Sequence, residues 1–246
     1  MPCFWNTRFN PTPSGAMHLG HVYLCLVNRH EAESRGAKFK VRFDDTHREW
    51  AQFKTGPEKL AENAKRFLDD MAWLGIEPAE VLYQSELLPV VHASLHRAAG
   101  YVNPPEPLGY DQHAQTIDGV AYYPYAQPLI AEKVWMDVWI QEVDHLIRGI
   151  DLITEFSLYN FFVEYLGLRR VQHVYLPRLY DEQGDFNNAP GTISKTHGNH
   201  TVAQYRAAGF VPPQVIEILA KACLVDPDGP WAITNVKRQP MILVDE

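Results

Sequence analysis

The sequence predicts an α/β fold with a parallel sheet, and three stretches near its beginning indicate it. A β-prone segment ending at Phe9 leads into a turn rich in proline and glycine, and then into an apolar run typical of a helix from about His18 to Ser34. Lys38 to Phe43 alternates like a strand. Gly56-Pro57 then opens a helix with apolar residues at helical spacing. This alternation favours a sheet with helices on both faces.

Composition narrows the class of protein. The 246 residues, 46% of them hydrophobic, are enough for one sizeable core and a small insertion. The net charge of −8 argues against a broadly basic nucleic-acid surface. The three cysteines form no CxxC pair, which predicts neither a disulfide framework nor a zinc site. No apolar run approaches the roughly 20 residues of a membrane span, and no signal peptide is evident, so we expect a cytoplasmic protein.

The remainder of the chain continues the alternation around one irregular segment. Residues 101–125 are rich in proline and glycine and predict a compact insertion with room for one hairpin. After it we expect a mostly apolar stretch, a helix, a short strand and a final helix beginning near Pro213. The expected organisation is a first half of the main α/β domain (1–100), the insertion (101–125), a second half of that domain (126–224) and a tail (225–246).

The most informative local pattern is His18-Leu19-Gly20-His21 at the start of the first helix. A helix N-terminus after a strand and a tight turn presents backbone N–H groups and a positive dipole end to a phosphate. The imidazoles add donors, and Gly20 lets a flat ring approach the backbone. Taken alone, the pattern is equally compatible with two surface histidines.

Two further elements fit the same chemistry. Asp44 follows a predicted strand, where ligands of open α/β sheets bind, and its carboxylate could hold an ammonium group. Ser194-Lys195 lies in a polar segment that could close on a nucleotide. Attack of a carboxylate on an α-phosphate needs charge stabilisation of the transferring group more than a strong base. Histidine and lysine donors would supply it.

Five motifs, in order along residues 5 to 220, resemble one family. TRFNPTPSG followed by HLGH, VRFDDT, YQSE, IRGIDL and TISKTHG are similar to the signatures of class I aminoacyl-tRNA synthetases of the glutamyl/glutaminyl branch. In this comparison HLGH corresponds to the HIGH signature and TISKTHG to KMSKS.

The resemblance implies a Rossmann-like (HUP-type) sheet, ATP and Mg²⁺ as cofactors, and an aminoacyl-adenylate as product. It implies catalytic roles for His18, His21 and Lys195 and ATP contacts from Thr12, Gly20 and Ser194. Arg8 and Arg148 would clamp a side-chain carboxylate, for which a guanidinium fork is suited, and Asp44 would take the α-ammonium.

The resemblance also leaves parts of the site and of the reaction open. The family places a tyrosine in the amino-acid pocket where a gapless match has Ile130, so Tyr123 or Tyr125 would serve only after a local shift. The match implies a truncated catalytic core with a reduced insertion, without an anticodon-binding domain or a zinc site. A glutamate-like amino acid is the expected substrate. The acceptor could be a tRNA, a small molecule or a carrier protein, and a non-catalytic amino-acid- or nucleotide-binding paralogue is a further alternative.

Overall fold

A computed structural model describes residues 5–46, 56–99, 115–117, 120–122, 126–177, 179–181, 200–223, 225–235 and 241–243. The α-helices are α1 (Leu19–Glu33), α2 (Pro57–Trp73), α3 (Gln84–Ala99), α4 (Ala126–Trp135), α5 (Phe156–Tyr165), α6 (Val202–Ala207) and α7 (Pro212–Cys223). The strands are β1 (Thr7–Phe9), β2 (Phe39–Phe43), β3 (Glu80–Tyr83), β4 (Gln115–Ile117), β5 (Val120–Tyr122), β6 (His145–Gly149), β7 (Gln172–Leu176), β8 (Leu179–Asp181) and β9 (Met241–Leu243).

Five strands form one sheet in the order β3-β2-β1-β6-β7, and every pairing in it is parallel. The prediction of a parallel sheet is therefore confirmed. β1 lies at the centre, so the loops after β1, β2 and β6 meet at one edge of the sheet. That edge is where an open α/β sheet binds its ligands.

Helices cover both faces of this sheet. Alternate residues of a strand point to opposite faces, and the neighbours Leu146 and Ile147 of β6 belong to different apolar clusters. Ile147 joins the cluster built by α1, α2 and α7, whereas Leu146 joins that of α4 and α5. Each face thus has a core of its own, and the sheet lies between the two cores.

The start of α3 differs from the expectation. The β-prone residues Val81 to Ser85 predict a short strand, but the strand ends at Tyr83 and Gln84 already begins the helix. Asp45 explains the change, because its two carboxylate oxygens accept hydrogen bonds from the Ser85 backbone N–H at 2.8 Å and from Ser85 Oγ at 2.6 Å. A carboxylate that satisfies a free N–H group stabilises the first turn of a helix.

The apolar stretch after the insertion divides into three elements. α4 continues into a π-helix, Met136–Ile140, in which the Gln141 N–H donates to the Met136 carbonyl at 2.8 Å. After β6, a 3-10 helix, Ile150–Glu155, leads directly into α5. π-Helical turns are rare and occur most often at functional sites. Here the turn places Asp137 beneath the sheet edge.

Two small sheets complete the described structure. β4 and β5 pair antiparallel within the predicted insertion, and β8 pairs parallel with β9. In the part of the chain that the structure describes, no helix is both long and apolar enough to cross a membrane.

Candidate active site

The turn between β1 and α1 is fixed from two sides. The Asp44 N–H, just after β2, donates to the Pro11 carbonyl at 2.9 Å, and Asn63 Nδ2 on α2 donates to the Pro13 carbonyl at 2.9 Å. Within the turn the Ser14 N–H donates to the Thr12 carbonyl at 2.8 Å. Thr12, an expected ATP contact, therefore lies in a turn whose backbone is held by β2 and α2.

The two histidines of the motif form one compact unit at the start of α1. Their rings stack with centroids 3.7 Å apart, and the His18 N–H donates to His21 Nδ1 at 3.3 Å. An accepting Nδ1 leaves the proton of a neutral His21 ring on Nε2. His21 also packs against Phe9 and Phe67, so both strand and helix orient its imidazole.

Gly20 lies directly against the His18 ring of the same motif. A Cβ at this position would lie 3.0 Å from both Cε1 and Nδ1 of that ring. This contact is tighter than most Cβ contacts, so the imidazole would have to move by a few tenths of an ångström to admit a larger residue. Besides the expected approach of a bound ring, the packing of His18 therefore favours glycine here.

The helix start is joined to the chain that follows the Ser194-Lys195 segment. The Leu19 N–H donates to the His200 carbonyl at 3.0 Å, and the Val202 N–H donates to the Met17 carbonyl at 2.9 Å. His18 and Thr201 thereby form an isolated antiparallel bridge. The start of α1 and residues 200–202, about 180 residues apart in sequence, are thus tied together by backbone hydrogen bonds.

Arg8 projects from β1 into a buried ionic cluster. Its Nε donates to Asp137 Oδ1 at 2.8 Å and its Nη2 to Asp137 Oδ2 at 2.9 Å, the bidentate geometry that guanidinium and carboxylate groups favour. Arg42 of β2 donates to the same Oδ1 at 2.8 Å, and the Tyr159 hydroxyl donates to Oδ2 at 3.1 Å. Asp137, fully buried, accepts four hydrogen bonds.

Arg42 has further partners at the centre of the sheet edge. Its Nη1 also donates to Gln141 Oε1 at 2.8 Å, and its Nε donates to Asn10 Oδ1 at 3.2 Å. Its Nη2 finds no hydrogen-bond acceptor among the described residues. A fully buried guanidinium with an unsatisfied donor retains the capacity to bind one more acceptor.

The charges in this cluster fix its protonation states. Burial alone would raise the pKa of Asp137, but Arg8 and Arg42 outweigh burial and hold it well below its usual range. Burial, with a contribution from Arg8, lowers the pKa of Arg42. Burial and the nearby Asp137 raise the pKa of Tyr159 well above its usual value. The carboxylate is therefore ionised and the phenol neutral over the physiological range.

Arg148, at the end of β6, lies on the other side of Tyr159. Its guanidinium is 5.5 Å from the centroid of the Tyr159 ring and 5.5 Å from that of Tyr175. Nη1 donates to Glu155 Oε2 at 2.9 Å, and Nη2 donates to the Tyr175 hydroxyl at 3.3 Å. The Tyr159 hydroxyl shares Asp137 with Arg8, and its ring lies beside Arg148, so Tyr159 links the surroundings of the two arginines.

His173 lies beside Arg148 on the neighbouring strand β7. Its Nδ1 is 3.5 Å from Arg148 Nη2. Burial and the positive charge of Arg148 lower the pKa of His173 to about 4. The imidazole is therefore neutral at pH 7 and adds no positive charge to the site.

Asp44 lies at the same edge, just after β2. It is buried, and its Oδ1 accepts a hydrogen bond from Thr46 Oγ1 at 3.0 Å. It follows Arg42 by two residues, and its negative charge acts on the Arg42 guanidinium. This arrangement can hold the two opposite charges of an amino acid.

Four expected site residues lie outside the described residues, namely Tyr123, Tyr125, Ser194 and Lys195. Across the described residues, no group of three or more histidine, cysteine, aspartate or glutamate side chains is placed to hold a metal ion. Ile130, at the position where the family has a tyrosine, is buried in the apolar cluster of α4 and α5.

Sequence reasoning missed the partners of the two arginines, above all Asp137, Tyr159 and Glu155. One feature of the sequence could have identified Asp137. It is a lone acid between apolar residues, and a buried helix does not accommodate a carboxylate without a partner. Tyr159 and Glu155 had none, because the contacts that bring them to the site depend on the packing of α5.

Comparison with known proteins agrees with this geometry. Residues 5–102 match the family model for the catalytic domain of class I tRNA synthetases (E and Q). A glutamate–tRNA ligase of Rubrobacter xylanophilus is 24% identical over 90% of this chain and 54% of its own length. The glutamyl-Q tRNA(Asp) synthetase of Rhodobacter capsulatus is 37% identical over 37% of this chain and 30% of its own length.

A solved structure has the same fold. The crystal structure of a glutamate tRNA ligase from Elizabethkingia meningosepticum, in complex with its amino acid, has a TM-score of 0.68 at 15% identity. The match covers 97% of this chain and 66% of that one. This chain spans about half the length of the Rubrobacter relative.

Proposed function

We propose that the chain is a class I tRNA synthetase of the glutamate and glutamine branch and that it activates an amino acid as its aminoacyl-adenylate, since residues 5–102 match that catalytic domain and its relatives include glutamate–tRNA ligases. ATP and Mg²⁺ are the proposed cofactors, and glutamate or a close analogue is the proposed amino acid. The activated acyl group is then transferred to an acceptor, for which a tRNA is the first candidate.

The observation that carries the adenylation proposal is the pairing of residues 17–19 with residues 200–202 at the start of α1. Lys195 lies five residues before His200, a separation that an extended chain spans in at most about 18 Å. A helix start bearing two imidazoles and a lysine tethered nearby are suited to holding the phosphates of ATP. They supply the positive charge that a transferring phosphoryl group needs.

The charges around Asp137 support an acidic substrate. Among the described residues, Arg8 and Arg42 lie within 4.0 Å of Asp137, and Arg148 and Lys133 within 4.0 Å of Glu155. Arg42 Nη2 and Arg148 Nε are buried donors without an acceptor among the described residues. A substrate that brings a carboxylate supplies a charged acceptor for such a donor, and its amide analogue supplies a weaker, neutral one.

The proposal for the acceptor rests on the relatives and on one contrary feature. The Rhodobacter relative is a glutamyl-Q tRNA(Asp) synthetase, which favours a tRNA. However, residues 98–132, which include the insertion, contain no lysine or arginine. Binding of several phosphates requires several basic side chains, so this feature favours the alternative of a small-molecule or carrier-protein acceptor. The intact HLGH and ISK sequences argue against a non-catalytic binding paralogue.

The deciding experiment is amino-acid-dependent exchange of pyrophosphate into ATP, with the twenty amino acids tested separately and with or without bulk tRNA. We expect exchange with glutamate to exceed that with glutamine and aspartate. If none of the twenty amino acids supports exchange, with or without tRNA, adenylation is refuted. Equal exchange with glutamate and glutamine would refute the acidic specificity only.

Replacement of Lys195 tests the role of the second motif. Lys195→Ala should slow adenylate formation about 10²- to 10³-fold, the effect of losing one charge-stabilising donor. Amino-acid affinity should change little, because the contact is made mainly in the transition state. Lys59→Ala, which removes an exposed lysine of α2, is the matched control and should leave the rate unchanged. A native rate for Lys195→Ala would contradict the assignment.

A further inference from the structure

The two carboxylates that meet the arginines differ in how firmly they are held. Asp137 has no exposed surface and accepts hydrogen bonds from two arginines and a tyrosine. Glu155 ends the 3-10 helix on the outer side of the site, and 24% of its side chain is exposed. In the described structure it receives one hydrogen bond, from Arg148 Nη1 at 2.9 Å.

The cation that Glu155 holds is otherwise incompletely satisfied. Only 5% of the Arg148 side chain is exposed, and its Nε has no hydrogen-bond acceptor among the described residues. The contacts of its Nη2 with Tyr175 and His173 are long, at 3.3 and 3.5 Å. A guanidinium offers five donors and forms its strongest contacts with a carboxylate bound through two of them. Arg148 makes no such two-donor contact with Glu155, so it is not committed to this partner.

Glu155 is also placed to leave. Its neighbours Ile153 and Phe156 are 49% and 43% exposed, so the end of the 3-10 helix faces solvent. Its second cationic contact, to Lys133 Nζ, is 4.0 Å long. Water can solvate the separated Glu155 carboxylate, and an incoming carboxylate can take its place as the counter-ion of the buried Arg148 guanidinium. Rotation of the Glu155 side chain would expose its carboxylate to solvent without disturbing Asp137.

We infer that Glu155 is an internal competitor that occupies Arg148 in the empty site and must be displaced by the distal carboxylate of the amino acid. This inference rests on the proposed function, because it takes Arg148 as the carboxylate-binding group. Glu155 then determines specificity through affinity. It weakens the binding of acidic amino acids and has little effect on their amides, which do not compete for the charge.

The test compares the binding of L-glutamate and of L-glutamine to the full chain by isothermal titration calorimetry. Glu155→Gln removes the negative charge and keeps the size of the side chain. It should tighten L-glutamate binding about two- to fivefold, the range expected for a partly exposed ion pair. L-Glutamine affinity should stay unchanged, and pyrophosphate exchange should show a lower KM for glutamate at the same kcat.

A matched control and a second variant exclude general effects. Glu164→Gln neutralises a carboxylate of α5 that pairs with Arg170 on the surface, and it should change neither affinity. Glu155→Ala should tighten L-glutamate binding as Glu155→Gln does, with thermal unfolding confirming that both variants are folded. Unchanged or weaker glutamate binding in the folded variants would overturn the inference. Loss of folding in both would also overturn it, since the pair would then be structural.

The results separate this inference from the proposed function. If the wild type catalyses exchange with another amino acid but Glu155→Gln binds no glutamate, adenylation stands and the inference fails. If none of the amino acids supports exchange in the wild type, adenylation fails. The inference still stands in that case if Glu155→Gln binds glutamate more tightly than the wild type does.

Discussion

A carboxylate without exposed surface must obtain from its neighbours the stabilisation that water would otherwise provide. Asp137 obtains it from Arg8, Arg42 and Tyr159. Asp137→Ala would leave two buried guanidinium groups without their shared counter-ion. We expect the free energy of unfolding to fall by about 3–5 kcal/mol, the usual effect of breaking a buried ion pair from one side. Urea unfolding at pH 7 measures it.

The control for this prediction is an ion pair of the same type at the surface. Glu164→Ala disrupts the pair with Arg170, whose side chains are 65% and 83% exposed. Its effect on the free energy of unfolding should stay within about 0.5 kcal/mol. An effect of Asp137→Ala as small as that of Glu164→Ala would show that the cluster does not stabilise the fold.

The neutral imidazole of His173 should make stability depend on pH. Its pKa falls from about 6.5 in the unfolded chain to about 4 in the folded protein. Between these values the unfolded state binds more protons. The contribution of His173 to the free energy of unfolding is therefore fully present above pH 6.5. It decreases as the pH falls towards 4, by at most about 1.4 kcal/mol per pH unit.

Comparison of His173→Gln with the wild type isolates this contribution. Burial raises the pKa of Asp70 to about 6, and that group has the opposite effect, because the folded state binds more protons as the pH falls. The dependence of the wild-type free energy of unfolding on pH therefore contains the effects of both His173 and Asp70. The free energy of unfolding, measured in urea from pH 7 to pH 5, should decrease less in His173→Gln than in the wild type. Parallel curves would contradict a lowered pKa for His173.

At the scale of elements, α6 depends on a reciprocal cap at its N-terminus. The Gln204 N–H donates to Thr201 Oγ1 at 3.3 Å, and the Thr201 N–H donates to Gln204 Oε1 at 2.9 Å. Thr201→Ala should lower the free energy of unfolding by about 1 kcal/mol, the typical loss of an N-cap side chain. Thr201→Ser, which keeps the hydroxyl, should restore most of it.

The measurement is urea unfolding, with Thr234→Ala as the control. Thr234 is an exposed threonine whose hydroxyl contacts only its neighbour Asn235. Its removal should change the free energy of unfolding by no more than about 0.5 kcal/mol. If Thr201→Ala matches this control, the cap does not stabilise α6.

Elements with a strong local pattern were predictable. The apolar positions of α2 are spaced three or four residues apart, and Leu60, Ala64, Phe67 and Met71 are all buried as that spacing predicts. Gly56-Pro57 marks its start, and the helix begins at Pro57. The parallel sheet followed in the same way from strands separated by helices.

Elements whose form depends on distant partners were not predictable. The start of α3 is set by Asp45, which lies 40 residues away in sequence, and the strand-like character of Tyr83 to Ser85 gave no indication of it. The π-helix places Asp137 opposite Arg8, 129 residues distant. The signature motifs located the two arginines, but local sequence carries no information on which carboxylate meets each of them.

At the scale of the whole molecule, charge limits how strongly a tRNA can bind. The net charge is −8, and a stretch of 35 residues, 98–132, contains no lysine or arginine. Each phosphate contact releases counter-ions. It makes the slope of log affinity against log salt concentration steeper by about 0.7–0.9. We expect a slope no steeper than about −3 for bulk tRNA, measured by filter binding between 50 and 200 mM salt.

A slope well beyond −3 would indicate a basic surface formed by other parts of the chain. It would favour tRNA over the small-molecule and carrier-protein acceptors. Polyuridylate of similar length is a suitable control, because a purely electrostatic contact does not distinguish it from tRNA.

The backbone pairing of residues 17–19 with residues 200–202 anchors the chain at a fixed distance in sequence from Lys195. The His200 carbonyl accepts a hydrogen bond from the Leu19 N–H, and Lys195 precedes His200 by five residues. An extended chain spans at most about 3.6 Å per residue, so this spacing sets an upper limit on the distance between Lys195 and the start of α1. Insertions after Lys195 would raise that limit, whereas insertions before it would leave the limit unchanged. The spacing on the C-terminal side of Lys195 is therefore the one that the proposed function constrains.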